Sequence, residues 1–250
     1  MDATSHKCLL VVVAKAPVPG EVKTRFLPQL TPAEAAGLYQ CFLQDRLTEI
    51  RKLAGIHLAI AYTPEKAKNT FAALTSNRID LFVQQGQNLG ERLNNIFLEK
   101  LNGDYQAVSI IDSDSPDLPG HLIEESFQRL TSNSTDVVFG PCHDGGYYLV
   151  GMRRPHPELF EDIPWSTDRA LSASLDKARR MDLKTHLLGE WHDLDTFEDL
   201  QHFYSKHSNQ SQQSAWAGEK TLAFLVEKGI FNRSSMTRQK SSVRYSGSSS

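Results

Sequence analysis

The chain has 250 residues, 40% hydrophobic and 23% charged, which is an ordinary soluble composition with enough apolar side chains for one large core. A formal net charge of −3 supplies no global field to recruit nucleic acid or an anionic membrane. Three scattered cysteines, Cys8, Cys41 and Cys142, exclude a disulfide framework or a zinc knuckle and fit a reducing, cytoplasmic compartment.

Residues 9–14 form a short β-branched run that reads as a buried strand. The run is at the short limit for a secretory core and follows Asp2 rather than a positive start, so it is not read as a signal peptide. No other apolar run approaches the ~20 residues of a membrane span. Thr31-Pro32-Ala33-Glu34 then offers an N-cap, a first-turn proline and a capping-box glutamate for a helix that ends before Gly55. Strands are expected at 56–62, 79–83, 107–111, 136–140, 147–152 and 183–188. Helices are expected at 64–74, 89–101, 119–130, 167–181 and 196–204. Residues 205–214 read as a linker, 215–231 as one further helix, and the serine-rich 232–250 as a disordered tail. Such alternation predicts a mostly parallel, doubly wound sheet, whose ligands bind outside the carboxyl ends of the strands.

The loops at those ends carry the candidate chemistry. Residues 14–25 hold Lys15, Lys23 and Arg25 with two prolines and Gly20, a set suited to a pyrophosphate or triphosphate, the alternative being a solvated surface loop. The loop is neither G-x-G-x-x-G nor a Walker A sequence, which removes the main support for NAD or P-loop chemistry. Asp112, Asp114 and Asp117 follow an apolar strand and repel one another unless cations intervene. Mg²⁺ takes such oxygens together with substrate phosphates, whereas the bland reading is an Asp/Ser/Pro turn. In His143-Asp144-Gly145-Gly146 the glycines allow close backbone approach and Asp144 can accept from a sugar; an Asp-Gly hairpin is the competing and compatible reading. Asp195 either caps the helix beginning near Thr196 or returns to a metal opposite Asp114. Gln85 and Asn88 lie where amide groups can read a base edge, or where an asparagine simply caps a helix.

The ordered series AKAPVPGEVKTR, QGQNLGERL, IIDSDSPDLP, DGGYYLVGM, IPWST and DLDTFEDL resembles the DUF2064 family over about residues 8–204. That family is glycosyltransferase-like and belongs to the GT-A nucleotide-diphospho-sugar transferase superfamily, with molybdenum-cofactor and 2-phospho-lactate nucleotidyltransferases as relatives. The resemblance implies a Rossmann-like three-layer α/β/α sandwich with the nucleotide over its first half and the acceptor over its second. Lys15, Gly20, Lys23, Arg25, Gln85 and Asn88 would serve the nucleotide and its phosphates. Asp114 and Asp195 would hold Mg²⁺ or Mn²⁺, with Asp112 a weaker third ligand because glycine is common there. Asp144, Gly145, Gly146, Trp165 and Thr167 would line the acceptor side. The expected reaction is transfer of a sugar from a nucleotide-diphosphate donor to a small acceptor. Lys23 and Arg25 would assist the leaving group, and Asp144 would take the acceptor proton. Nucleotidyl transfer with pyrophosphate release is the alternative, and a non-catalytic nucleotide-binding regulator the second.

Overall fold

Strand β1 (Cys8–Lys15) is buried almost throughout, as a continuous Leu/Val/Ala run demands of a central strand covered on both faces. The computed structural model describes residues 8–75, 79–132, 134–208 and 217–231. The expected disordered tail at 232–250 lies outside these residues, as does most of the linker.

Six further strands complete one sheet: β2 (His57–Thr63), β3 (Asp80–Val83), β4 (Ala107–Ile111), β5 (Val137–Pro141), β6 (Tyr147–Met152) and β7 (Thr185–Leu187). Their order is β3-β2-β1-β4-β6-β5-β7. Val12 of β1 faces Ile60 of β2 on one side and Ile111 of β4 on the other, both in parallel register. Among the described strands, only β6 runs antiparallel, to β4 and β5. The five residues between β5 and β6 are too few for a parallel crossover, so this hairpin fixes β6's direction.

Among the described residues, seven α-helices cover the faces: α1 (Pro32–Ile50), α2 (Lys68–Leu74), α3 (Leu89–Leu101), α4 (Gly120–Thr131), α5 (Ala170–Arg180), α6 (Phe197–His207) and α7 (Glu219–Glu227). Leu10 and Val12 point into one core layer with Phe42 of α1, Phe127 of α4 and Phe203 of α6. Leu9 and Val11 point into the other, with Leu93 and Phe97 of α3 and Ala178 of α5. The chain is therefore the three-layer α/β/α sandwich expected. Among the described residues, no helix is long and apolar enough to cross a membrane.

The capping box at Thr31 forms in full, with Glu34 N donating to Thr31 Oγ1 and Thr31 N donating to Glu34 Oε2. The expected 167–181 helix begins only at Ala170, because Thr167 Oγ1 instead donates to Pro164 O and closes a turn. Helix α6 runs three residues past Tyr204. Leu225 of α7 and Ile230 just beyond it join the first core layer, so the packed unit extends beyond 204. Buried Asp45 of α1 holds α7 by its N-terminus, accepting from Lys220 N, Thr221 N and Thr221 Oγ1 at 2.9, 2.8 and 2.7 Å.

After β3 the chain crosses back to place β4 on the far side of β1. The β1–β4 gap is thus the point where strand order reverses, and it is there that the crevice opens. The loops leaving β1 and β4 bring Lys23 and Arg25 from one side and Asp112 and Asp114 from the other to this crevice.

Candidate active site

The loop after β1 is set by two left-handed residues. Pro19 and Gly20 occupy the middle of a turn closed by Glu21 N donating to Val18 O at 3.0 Å; Gly20, at φ 81°, takes the left-handed position. Lys23 follows at φ 49°, an uncommon conformation for a residue with a Cβ, and begins a single 3₁₀ turn, Thr24–Phe26. This backbone sends the Lys23 side chain inward over Phe42, with Nζ 5.3 Å from the ring centroid.

There the ammonium meets two aspartates from different loops. Lys23 Nζ lies 2.7 Å from Asp114 Oδ1, 2.8 Å from Asp195 Oδ1 and 2.8 Å from Leu194 O, which engages all three of its donors. The Lys23 side chain is 6% exposed, whereas those of Asp114 and Asp195 are 38% and 39% exposed. Burial alone would push the lysine down, but attraction to Asp114 and Asp195 outweighs it and holds the ammonium above its ordinary value. Burial acts to raise Asp195; its attraction to Lys23, reinforced by Arg25 at 3.4 Å, prevails and lowers it.

Asp195 reaches this point because residues 191–195 run along the ends of β5 and β4. Trp191 N donates to Pro141 O, His143 N to Trp191 O, and Leu194 N to Asp114 O at 2.9 Å. Asp117 anchors the same segment from below. Its buried carboxylate accepts from Trp191 Nε1 at 3.2 Å and faces His207 Nε2 at 3.1 Å and Lys206 Nζ at 3.4 Å. Burial opposes its charge, yet His192 at 3.6 Å and the hydrogen bond to His207 keep Asp117 well below the usual carboxylate range.

Asp112 works differently from its neighbours. Its Oδ1 accepts from Asp114 N at 2.9 Å and Ser115 N at 3.3 Å, the arrangement of a carboxylate building a turn. Asp193, which sequence reasoning passed over, stands beside it. Ligand atoms of Asp112, Asp193 and Cys142 lie within 4.8 Å of one another, and Cys142 Sγ donates to Asp193 Oδ1. Burial, then repulsion from Asp193 and Asp114, raises Asp112; burial, then repulsion from Asp114 and Asp195, raises Asp193. The overlooked signal was the second D-x-D, Asp193-Leu194-Asp195, a counterpart to Asp112-Ser113-Asp114.

A cleft of about 520 Å³ opens above the Lys23 cluster, lined on one side by Lys15, Lys23, Arg25 and Arg92 and on the other by Asp112, Asp114 and Asp195. A smaller cavity of about 170 Å³ adjoins it, and Val13, Leu89, Asp112 and Ser166 border both. Asp144, Gly146, Trp165 and Thr167 line this second cavity, together with Asp193. Gly145 lies outside the lining and is a packing position. It sits at φ 84°, where a Cβ would come within 2.1 Å of Asp168 O. Neither Gln85 nor Asn88 lines the cleft. Asn88 caps α3 by accepting from Glu91 N at 2.9 Å, Gln85 O accepts from Asn95 Nδ2, and it is Gln84 that borders the cleft. Gly20 likewise shapes the loop without lining the cleft. His143 pairs with Glu190 at the surface.

Asp114 and Asp195 suit a hard divalent ion: two half-exposed carboxylates beside a phosphate-sized space match the habit of Mg²⁺, which takes one or two carboxylates plus substrate oxygens. The Asp112, Asp193 and Cys142 group does not, because burial and two neighbouring carboxylates hold the proton on its thiol.

The profile of the family described as "Uncharacterized protein conserved in bacteria (DUF2064)" matches residues 46–167. A "putative nucleotide-diphospho-sugar transferase" from Desulfovibrio desulfuricans G20 is 32% identical, covering 91% of this chain and 97% of its own, with a TM-score of 0.81. Two others share the fold at 12% identity. CMP:2-keto-3-deoxy-manno-octonic acid synthetase complexed with CTP has a TM-score of 0.53 and covers 81% of this chain and 98% of its own. A cytidylyltransferase from Leptospira borgpetersenii has a TM-score of 0.51 and covers 90% and 96%. No curated protein matches the sequence.

Proposed function

The chain belongs to the DUF2064 family, and from that premise we propose that it transfers a sugar from a nucleotide-diphosphate donor to a small acceptor in a metal-dependent reaction. The observation that carries this reading is the convergence of the β1 cation loop, the β4 aspartates and Asp195 on one cleft at the strand-order reversal. The donor lies over β1 with its phosphates against Lys15, Arg25 and Arg92. A divalent ion, Mg²⁺ or Mn²⁺, held by Asp114 and Asp195 would supply charge neutralisation for the departing diphosphate. Lys23 keeps those two carboxylates together before substrate arrives and adds positive charge where the leaving group develops. Asp144, steadied by Gly146 N at 2.9 Å and bordering the second cavity, takes the acceptor proton. The reading assigns the transferase unit to residues 8–204 with α7 as a buttress. The reading calls for no nucleic acid and no membrane span.

The released product tests this reading. With a panel of nucleotide sugars and nucleoside triphosphates, small hydroxyl- and amine-bearing acceptors and Mn²⁺, phosphorus NMR should detect a nucleoside diphosphate. Pyrophosphate would instead assign nucleotidyl transfer, and binding without either product would assign a regulator.

A further inference from the structure

The cleft's cations all stand at its donor end. Lys15, Lys23, Arg25 and Arg92 line the larger space, whereas no lysine, arginine or histidine is among the described residues lining the smaller one. Its polar groups include Asp112, Asp144, Asp193 and the hydroxyls of Ser166 and Thr167; its walls include Leu89, Leu93, Tyr147 and Trp165, the last two meeting edge to face at 6.0 Å. We propose that this cavity receives a ring-sized acceptor whose reacting end is an alcohol or amine, and that it rejects acceptors carrying a phosphate or carboxylate there. The inference rests on the transferase reading and specifies its second substrate.

Size and charge argue together. A dry cavity of about 150 Å³ suffices for benzene, so about 170 Å³ holds one six-membered ring. An anionic group placed here would give up its hydration beside Asp144 and the buried acids Asp112 and Asp193, with no lysine, arginine or histidine among the described lining residues. Lys23, in the adjoining cleft, has all three of its donors occupied by Asp114, Asp195 and Leu194 O. A hydroxyl can donate to Asp144, and an ammonium gains from the same carboxylate. In the transfer the acceptor oxygen or nitrogen forms a bond to the anomeric carbon. The bond from that carbon to the diphosphate oxygen breaks, its electron pair leaving on the diphosphate, and the acceptor proton passes to Asp144.

The test uses one ring with four substituents: benzylamine, benzyl alcohol, benzoate and phenyl phosphate. Each is titrated into the full chain in Mg²⁺ while the Trp165 indole N–H resonance, assigned with Trp165→Phe, is followed. That resonance reads this cavity rather than the donor cleft. Benzylamine and benzyl alcohol should bind at least about tenfold more tightly than either anion. Asp144→Asn, at an exposed position, should shrink the advantage of the amine, and Ala170→Phe should fill the cavity and abolish ring binding. An anion binding as tightly as the alcohol, or no response to any of the four, overturns the proposal. So does an amine advantage untouched by Asp144→Asn. Thermal shifts with nucleotide sugars and Mn²⁺ on the same protein separate the two readings. If nucleotides fail and the ring order holds, the transferase reading falls and the cavity assignment stands. If nucleotides bind and the anions win, the reverse follows.

Discussion

Replacing Lys23 by methionine keeps the length of the side chain and removes the charge that joins Asp114 to Asp195. Three charge-assisted or carbonyl hydrogen bonds are lost at 2.7–2.8 Å, in a side chain that is 6% exposed. Bonds to charged groups contribute about 1.5–3 kcal/mol each when buried. Here both carboxylates are more than a third exposed, so water recovers much of that and Arg25 stays with Asp195. A net loss of about 2–3 kcal/mol is expected, which lowers Tm by about 4–12 °C for a chain of this size. The same variant carries a second, opposite signature. With the ammonium gone, Asp114 and Asp195 repel one another, so Mn²⁺ alone should stabilise the Lys23→Met protein more than it stabilises the wild type, while turnover falls. Scanning calorimetry with and without Mn²⁺ reads both effects. A variant that melts with the wild type and answers Mn²⁺ no more strongly would refute the bridged aspartate pair.

Three further outcomes follow from the same geometry. Asp117→Asn removes the carboxylate that faces His207, Lys206 and Trp191, and should cost about 3–5 kcal/mol at pH 7. Because Asp117 sits below its unfolded value of about 3.9, its stabilisation is complete above that pH and fades as pH falls beneath it; the gap between variant and wild type in urea unfolding should therefore close below about pH 4. Asp45→Ala frees the N-terminus of α7, and amide exchange across Glu219–Glu227 should quicken ahead of the sheet's; uniform protection would show that α7 is held elsewhere. Gly145→Ala puts a Cβ within 2.1 Å of Asp168 O at φ 84°, and should destabilise by about 1–3 kcal/mol and weaken acceptor binding; an unchanged denaturation midpoint would contradict the close approach.

Much of this architecture was legible in the sequence because its signals are local. The unbroken apolar run of β1 announced a strand covered on both faces, and Thr31-Pro32-Ala33-Glu34 announced a helix start that forms bond for bond. Asp-Gly-Gly between two apolar runs offered a hairpin as one of two compatible readings; the hairpin forms, and it turns β6 antiparallel. What stayed hidden depends on pairings between distant segments. The Trp191–Asp195 strip lies against β5 through backbone bonds that no pattern records, so Asp193 was not recognised beside Asp112. Asn88 offered two uses of one amide, and the backbone N–H of Glu91, three residues on, claimed it for capping. Lys23 read as a cation waiting for phosphate; only the fold brings Asp114 and Asp195 to it from 91 and 172 residues away.

The account stands most directly on metal-dependent donor binding through Asp114. Thermal shifts for a panel of nucleotide sugars should rise with Mn²⁺ in the wild type, by about 2.7 kcal/mol of stabilisation at a hundredfold excess over Kd. In Asp114→Asn, melting near the wild type without ligand, that Mn²⁺ increment should vanish. A wild type whose nucleotide shifts ignore Mn²⁺, or a folded Asp114→Asn protein that keeps the full increment, would contradict it.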